Sequence, residues 1–494
     1  MLRLLFIVGI LATACSGPIQ SPTVLNNYSN PATPEEVIDF VKKAASQSSN
    51  QYFEIAGKSV EGSDIVVFKS LATASNNPLK VLVFAQQHGN EQSGKEASLL
   101  LIRDLANGSL NELTKGVEIW IVPQLNPDGA RENQRRNATG TDLNRDHVLL
   151  NAPETKAIHN LFNEFMPHVT IDIHEYQPYR ESWKEFGGYK NFDVQVGTST
   201  NINIPHNIRE FGLERALPAI EKHLSQLGFT FHNYIVGPAP NLGRTRHSTV
   251  DFDDGRQSFA ILHTLSFIYE GINGRDSYAE NLERRTTSQY EALNALLTFL
   301  NSSSGEVIAM VNSERQKLAN AKAGEKVAIR MEHVKGEEPL ELPLISSNTG
   351  QDAVVVVEDY HPLVESTLDV KRPEAYLVPQ NDTLLLQFMD KHKISYSNFS
   401  ADSNSIITRY KIENITISND EELDNRYPEV IIEKINGNKL SKPYYVVPTN
   451  QLHSNFLVMS FEPQSMLGLP QRSGFEYLLK DNSIFPIYRL DGNL

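Results

Sequence analysis

The sequence has a single cysteine, Cys15, among its 494 residues. A lone cysteine excludes a disulfide within the chain, and it excludes metal clusters held by several cysteines. Basic residues are in the minority, with 45 Lys and Arg against 60 Asp and Glu, and the formal net charge is −15. Because no sustained Lys/Arg cluster offsets this charge, we expect no nucleic-acid partner.

The N-terminus also lacks an apolar run long enough to span a bilayer as a helix. Residues 4–14 form a short apolar segment after Arg3, typical of a cleaved secretory signal. Small residues precede Cys15, which resembles a bacterial lipobox, in which the cysteine is lipidated. A chance cysteine in a plain signal peptide is the alternative. We expect residues 1–14 to be a lipoprotein signal peptide, and the mature protein to be exported and lipid-anchored through Cys15, facing the periplasm or exterior.

The length of the chain and its pattern of strand-like and helix-like segments indicate two folded parts. At 494 residues it is too long for one ordinary core. Residues 15–32 are polar and are expected to form a tether. From 33 to 302 strand-like and helix-like segments alternate, which predicts an α/β fold, a mixed sheet with helices on both faces. Residues 303–325 are expected to form a connecting helix, and 326–494 a mostly β accessory domain, because short β-type runs separated by turn residues follow there.

Four ionisable groups follow predicted strands of the α/β part. His88 and Glu91 come three residues apart after the strand 79–85, His174 ends the strand that begins at 169, and Glu270 ends the apolar run 259–269. Ligands of open α/β sheets bind at the carboxyl ends of strands, so these groups are expected to converge. Two histidines and one carboxylate with an open position suit catalytic zinc, and the remaining carboxylate can serve as a base.

Each signal is weak by itself. A His-x-x-Glu pair arises often by chance, and a lone histidine at a strand end more often has a structural hydrogen bond. The chain has 14 histidines, so most of them have no metal-binding role. The ordered combination of all four groups carries the prediction.

The order of the motifs resembles that of the M14 zinc carboxypeptidases over residues 33–300. The matching residues run His88-x-x-Glu91, Asn126–Pro127–Asp128–Gly129, Arg135–Arg136–Asn137, Asp142–Leu143–Asn144–Arg145, His174 and Glu270. The stretch from Asn126 to Arg145 is the most specific part of this resemblance.

The resemblance implies a function for each matched position. It implies one Zn²⁺ per chain, held by His88, Glu91 and His174, with Glu270 as the general base. Arg135 would stabilise the oxyanion of the scissile carbonyl. A further pair, Asn144 and Arg145, would bind the free C-terminal carboxylate of a peptide substrate.

Physical chemistry fits these assignments. A guanidinium group is always charged and can bind a carboxylate through two parallel hydrogen bonds, which suits Arg145. A charge near the carbonyl, as from Arg135, helps most when negative charge develops there. Asp142 is either a partner for the free ring nitrogen of His88 or a turn residue. Arg136 is expected to be a structural or rim charge, and Glu175 should point away from His174 on the strand.

The sequence departs from the family in one respect. Family members often carry a tyrosine on a mobile loop before the base, but residues 244–255 contain none. Tyr234 and Tyr278 lie outside that segment, and neither aligns convincingly. Side-chain specificity is therefore not assigned by the sequence.

Three functions remain open at this stage. The leading one is zinc-dependent release of C-terminal residues from peptides. A metallo-amidase or deacylase acting on cell-wall peptides or acylated amino acids is the second. The third is a zinc-containing binding lipoprotein without catalysis, which the intact set of Glu270, Arg135 and the three ligands disfavours.

Overall fold

Buried apolar strands form the centre of the catalytic half. The computed structural model describes residues 18–275, 277, 279–400, 405–420 and 423–492. Cys15 and the predicted signal peptide lie outside the described residues, as does Tyr278. No helix in the described part of the chain is both long and apolar enough to cross a membrane.

The helices of the described residues are α1 Pro22–Leu25, α2 Pro34–Ala45, α3 Ser93–Ala106, α4 Asn111–Thr114, α5 Pro127–Arg131, α6 Pro153–Phe165, α7 Glu181–Phe186, α8 His206–Glu210, α9 Leu217–Gln226, α10 Gly255–Ala260, α11 Leu282–Ser302, α12 Ser304–Ala319, α13 Thr383–Lys391 and α14 Ser454–Phe461. A π-helical turn, Phe211–Ala216, joins α8 to α9. Helix α2 begins with the capping box that its sequence indicates, because Thr33 and Glu36 bond reciprocally.

The strands are β1 Gln51–Lys58, β2 Asp64–Ser70, β3 Leu79–Ala85, β4 Val117–Val122, β5 Val169–Tyr176, β6 Gly188–Lys190, β7 Val194–Gly197, β8 Phe231–Asn233, β9 Ile235–Val236, β10 Thr245–His247, β11 Leu265–Ile272, β12 Lys326–Val334, β13 Leu340–Ser346, β14 Asp352–Val357, β15 Tyr360–His361, β16 Leu363–Lys371, β17 Ala375–Pro379, β18 Ser397–Asn398, β19 Ile406–Asp420, β20 Leu423–Asn436, β21 Tyr444–Pro448 and β22 Tyr488–Gly492.

The main sheet is mixed and has eight strands in the order β1-β2-β4-β3-β5-β11-β7-β8. Its central strands β4, β3, β5 and β11 are parallel to one another, so their carboxyl ends lie at one edge. Strands β3, β5 and β11 are buried almost throughout, as parallel strands covered by helices on both faces are. This confirms the predicted α/β fold with a mixed sheet and a β-rich region after it.

The apolar run 259–269, predicted as one strand, is divided between two elements. Asp254 caps helix α10 through the backbone N–H of Gln257, so Phe259 is helical. His263 then has a positive φ of 57°, and β11 starts at Leu265. A local cap therefore determines the boundary here, and hydrophobicity alone does not reveal it.

The C-terminal part is joined to the catalytic part through shared sheets. Strand β13 pairs with β6 as well as with β14, and β15 pairs with β10. A six-stranded sheet, β18-β21-β17-β22-β19-β20, lies within the C-terminal part. The main hydrophobic core also includes residues of both parts, such as Val83 and Tyr376. The boundaries at residues 302 and 326 stay predictions.

The segment predicted as a tether packs on the fold from residue 18 onward. Ile19 is buried, and its backbone exchanges two 3.0 Å hydrogen bonds with the side-chain amide of Asn107. Lys95 donates to the carbonyl oxygen of Ala32. These contacts, which the polar composition does not reveal, order residues 18–32 against the region around α3.

Candidate active site

The predicted ligands converge at the carboxyl edge of the main sheet. His88 and Glu91 follow β3, and His174 lies on the neighbouring strand β5. Their potential ligand atoms all lie within 4.8 Å of one another, and all three residues are buried. Glu91 bridges the two histidines: its Oε1 is 2.8 Å from Nδ1 of His88, and its Oε2 is 2.9 Å from Nδ1 of His174. Two imidazole nitrogens and one carboxylate at this spacing fit a single Zn²⁺.

A carboxylate lies behind each of the two histidines. Asp142 Oδ1 is 3.1 Å from Nε2 of His88, and it also accepts from the backbone N–H of Asn144 at 3.1 Å. Both predicted alternatives for Asp142 therefore hold: it is the partner of His88 and a turn residue. Asp172 Oδ1 is 3.0 Å from Nε2 of His174. Such carboxylates fix the ring orientation and increase the basicity of the nitrogen that faces the metal. Asp172 was not among the residues predicted from the sequence, although residues two apart on a strand share a face.

The motif from Asn126 to Gly129 holds the loop that carries Arg135. The Asn126 side chain accepts from the N–H of Gly129 at 2.9 Å and donates to the carbonyl of Gln87 at 3.0 Å. A Cβ on Gly89 would lie 2.1 Å from the carbonyl carbon of Gly129, so glycine is required at that contact. This close packing positions the Arg135 loop beside the β3 turn.

Arg135 lies next to the ligand cluster. Its Nε donates to Oδ2 of Asp142 at 3.0 Å, and its Nη1 is 3.1 Å from Nδ1 of His88. Asp142 thus orients both the histidine and the arginine. Arg136, by contrast, donates to the carbonyl of Gly140 and is exposed, as expected of a structural charge.

Asn144 and Arg145 line the same cleft as the ligand cluster. Asn144 Oδ1 accepts from the N–H of Gly255 at 2.7 Å, which leaves Nδ2 without a hydrogen-bond partner among the described residues. Arg145 is anchored by a 2.6 Å hydrogen bond from Nη1 to the carbonyl of Asn144. Both side chains can therefore donate to an anionic group in the cleft.

Glu270 lies opposite His174 in the register of β11 and β5, and it lines the cleft. Burial raises the pKa of Glu270 to about 7, His174 and His88 oppose the rise, and Glu91 adds to it. Tyr234, for which the sequence shows no convincing alignment, lines the cleft as well, and its side chain near Glu270 lowers the pKa of that carboxyl. Its position between β8 and β9 follows from strand pairing, which no motif indicates.

Another face of the cleft is formed by Tyr176, Arg180, Trp183 and Lys190, which we name the lysine wall. The cleft as a whole has a volume of about 450 Å³. Glu175 also borders it, but its carboxylate is bound by Arg285 Nη2 at 2.5 Å and by Ser93 Oγ at 2.6 Å. Glu175 therefore forms a structural ion pair with Arg285, and it was not predicted to be a metal ligand.

The fold and the site together define a metal-dependent hydrolase with one metal centre. Residues 37–183 match the family model Peptidase_M14, zinc carboxypeptidase. This match, the ligand cluster and the carboxypeptidases to which the chain is similar support a zinc-dependent metallocarboxypeptidase that hydrolyses peptides.

The chain is also similar to individual carboxypeptidases. The chain is 25% identical to carboxypeptidase 2 of Trichophyton rubrum over 503 residues, covering 94% of this chain and 87% of that protein. It is 32% identical over 112 residues to a zinc carboxypeptidase of Saccharothrix mutabilis subsp. capreolus, covering 18% and 26%. Among solved structures, a metallo-carboxypeptidase from Burkholderia cenocepacia aligns with a TM-score of 0.42 and 20% identity, over 56% of this chain and 71% of that one.

Proposed function

We propose that this protein releases the C-terminal residue of peptides that carry a free terminal carboxylate. The observation that carries the proposal is that one cleft contains the ligand cluster, Glu270 and the donors Asn144 and Arg145. A substrate whose carboxylate is bound by these donors would have its last peptide bond near the ligand cluster. The products are one amino acid and the shortened peptide.

His88, Glu91 and His174 would hold the zinc ion. Zinc, when bound, supplies Lewis acidity, which polarises the carbonyl and makes water more acidic. Asp142 and Asp172 keep the Nδ1 atom of each histidine directed at the cluster, because each accepts at the other ring nitrogen.

Glu270 would act as general base and then as general acid. Its carboxylate takes a proton from the attacking water while the new C–O bond forms, and it gives that proton to the amine as the C–N bond breaks. The pKa of Glu270, raised by burial to about 7, suits a group that must both accept and donate near neutral pH. The Tyr234 hydroxyl, in the same cleft, would donate to Glu270 and hold the carboxylate in position.

Arg135 would stabilise the negative charge on the carbonyl oxygen during attack. Its side chain is 44% exposed, so it can reach a substrate in the cleft while Asp142 holds its Nε. Removal of one donor of this kind lowers kcat about 100- to 1,000-fold in other hydrolases.

The direct test compares one N-blocked peptide with a free and with an amidated C-terminus, using the zinc-loaded chain. We expect rapid hydrolysis of the free acid, loss of activity after chelation and recovery when zinc is restored. Equal hydrolysis of both peptides would contradict a carboxypeptidase specificity. Hydrolysis that survives complete zinc removal would contradict the metal dependence.

We also propose that the mature protein is exported and lipid-anchored through Cys15. The support is the short apolar segment and the small residues that precede this cysteine. The Cys15→Ala variant should move from the membrane fraction to the soluble fraction of a producing bacterium. An unchanged distribution would contradict the anchor.

A further inference from the structure

Lys190 presents an ammonium group to the cleft, and among the described residues no carboxylate forms an ion pair with it. Its Nζ lies 5.2 Å from the ring centroid of Tyr176 and 5.4 Å from that of Trp183, at cation–π distance. Within the described residues Nζ makes neither a hydrogen bond nor an ion pair. None of the catalytic steps proposed above uses this lysine.

The environment of Lys190 is unfavourable for an unpaired charge. Burial lowers the pKa of Lys190 to about 8, while Glu270 opposes the decrease and Arg180 adds to it. The group is still mostly protonated at neutral pH. A charge that is partly removed from water and has no partner lowers stability, unless a ligand supplies the opposite charge. Arg180, exposed on the same wall, adds a second cation to the cleft.

The strand that carries Lys190 is held in place from the C-terminal part. In the pairing of β6 with β13, Lys190 lies opposite Leu344. Leu344 also belongs to a small apolar cluster that contains Trp183 and Ile235. The lysine is therefore presented on a supported strand, and a fixed position is what a specific binding group needs.

Four cations line the cleft of this acidic molecule. The chain has a net charge of −15, yet Arg135, Arg145, Arg180 and Lys190 line the cleft beside Glu91, Glu270 and Glu175, the last of which is paired with Arg285. Arg135 and Arg145 have proposed functions at the carbonyl and the terminal carboxylate. The two cations of the lysine wall are left for another anionic group, and a cleft lined by cations concentrates anionic substrates.

We propose that Lys190, with Arg180 beside it, binds the carboxylate of an acidic side chain next to the scissile bond, so that the preferred substrates are peptides with Asp or Glu at one of their last two positions. This inference rests on the proposed function and names its substrate class. Neutral isosteres such as Gln would leave the ammonium unpaired.

The test uses the zinc-loaded full chain and two pairs of N-blocked peptides, with Glu or Gln at the last position or at the one before it. In the wild type we expect kcat/KM for Glu to exceed that for Gln by about tenfold or more at one position, since hydrogen bonds to charged groups have this magnitude. The ratio should fall to about one in Lys190→Met, which keeps the apolar stem, and should largely return in Lys190→Arg.

Lys184→Met is the matched control, because Lys184 is exposed and pairs with Glu181 outside the cleft. It should retain the wild-type ratio. A ratio near one at both positions in the wild type would overturn the proposal, and so would a ratio that persists in Lys190→Met.

A binding measurement separates this proposal from the proposed function. Calorimetry compares N-acetyl-glutamate with N-acetyl-glutamine on the zinc-loaded wild type and Lys190→Met. Tighter binding of the glutamate, lost in the variant, supports the acidic subsite even if no peptide is hydrolysed. Hydrolysis without any acidic preference in either assay overturns the subsite and leaves the carboxypeptidase function standing.

The preference should also depend on pH. Deprotonation of Lys190 removes the charge that the acidic side chain requires, so the Glu-to-Gln ratio should decline as the pH rises through about 8. The titratable and charged groups that face this lysine are Glu270, Tyr176, Arg180 and His232. Arg180 stays charged, and a ratio that is constant from pH 7 to 10 would therefore assign the preference to Arg180 alone and contradict a function for Lys190.

Discussion

The metal end of the cleft and the lysine wall are built in different ways. His88 and Glu91 follow β3, and His174 lies on the adjacent parallel strand β5. Of their supporting carboxylates, Asp172 lies on β5 and Asp142 belongs to the motif 142–145. The lysine wall depends on a short strand, β6, that pairs with β13 more than 150 residues later in the chain. The main sheet thus positions the metal ligands, whereas the C-terminal part positions the proposed substrate-binding residues of the lysine wall.

The largest effect should come from removing a ligand at the metal end. In His174→Ala we expect zinc to fall from about one to below about 0.1 per chain, and activity to be lost with it, because two remaining ligands do not hold the ion. Metal analysis after dialysis measures this. His223→Ala is the control, since His223 pairs with Glu291 at 2.9 Å outside the site. Stoichiometric zinc in His174→Ala would refute the ligand assignment.

Glu270→Gln should separate metal binding from catalysis. The amide cannot accept the proton of water, so kcat should fall by about 1,000-fold while zinc content stays near one per chain. Stopped assays combined with metal analysis would show both. Turnover close to that of the wild type would mean that another group is the base.

Arg145→Ala should selectively lower the hydrolysis of substrates with a free C-terminus. Loss of a charged hydrogen-bonding partner lowers kcat/KM by about 100-fold for the free acid, with a much smaller change for the amidated peptide. Arg136→Ala serves as the control, because Arg136 bonds to a neighbouring carbonyl and is exposed. If both peptides lose activity equally, Arg145 does not bind the terminal carboxylate.

The smallest effect on turnover should come from the support of the lysine wall. Leu344 is 3% exposed, and Leu344→Ala should lower the free energy of unfolding by about 2–3 kcal/mol through the cavity it leaves. We expect kcat/KM for acidic peptides to fall about three- to tenfold, because the wall shifts, with zinc content unchanged. Denaturant unfolding and metal analysis on one preparation provide the measurement. Loss of zinc in this variant would contradict the separation of the two regions.

The same contrast explains what the sequence predicts well. Strand β3 spans the predicted residues 79–85, and β5 begins at residue 169, as the apolar pattern indicates. The sequence predicts that four side chains converge, because adjacent parallel strands end at one edge of the sheet. These side chains are His88, Glu91, His174 and Glu270. Here local pattern and short connections suffice.

Long-range pairing explains what the sequence leaves out. Tyr234 and Lys190 lie on short segments whose place depends on partners such as β13, and neither has a recognisable motif. Asp172 was within reach, because it shares a strand face with His174. The ordering of residues 18–32 depends on single side chains such as Asn107 and Lys95, which a polar composition conceals.

The most direct test of the whole account is a mass-spectrometric digest of a mixed peptide library with the soluble, zinc-loaded protein from residue 16 onward. Parallel reactions contain a chelator or the Glu270→Gln variant. The account predicts stepwise loss of C-terminal residues, fastest where Asp or Glu lies near the end, and no loss in either control. Intact peptides in every reaction, despite bound zinc, would contradict it.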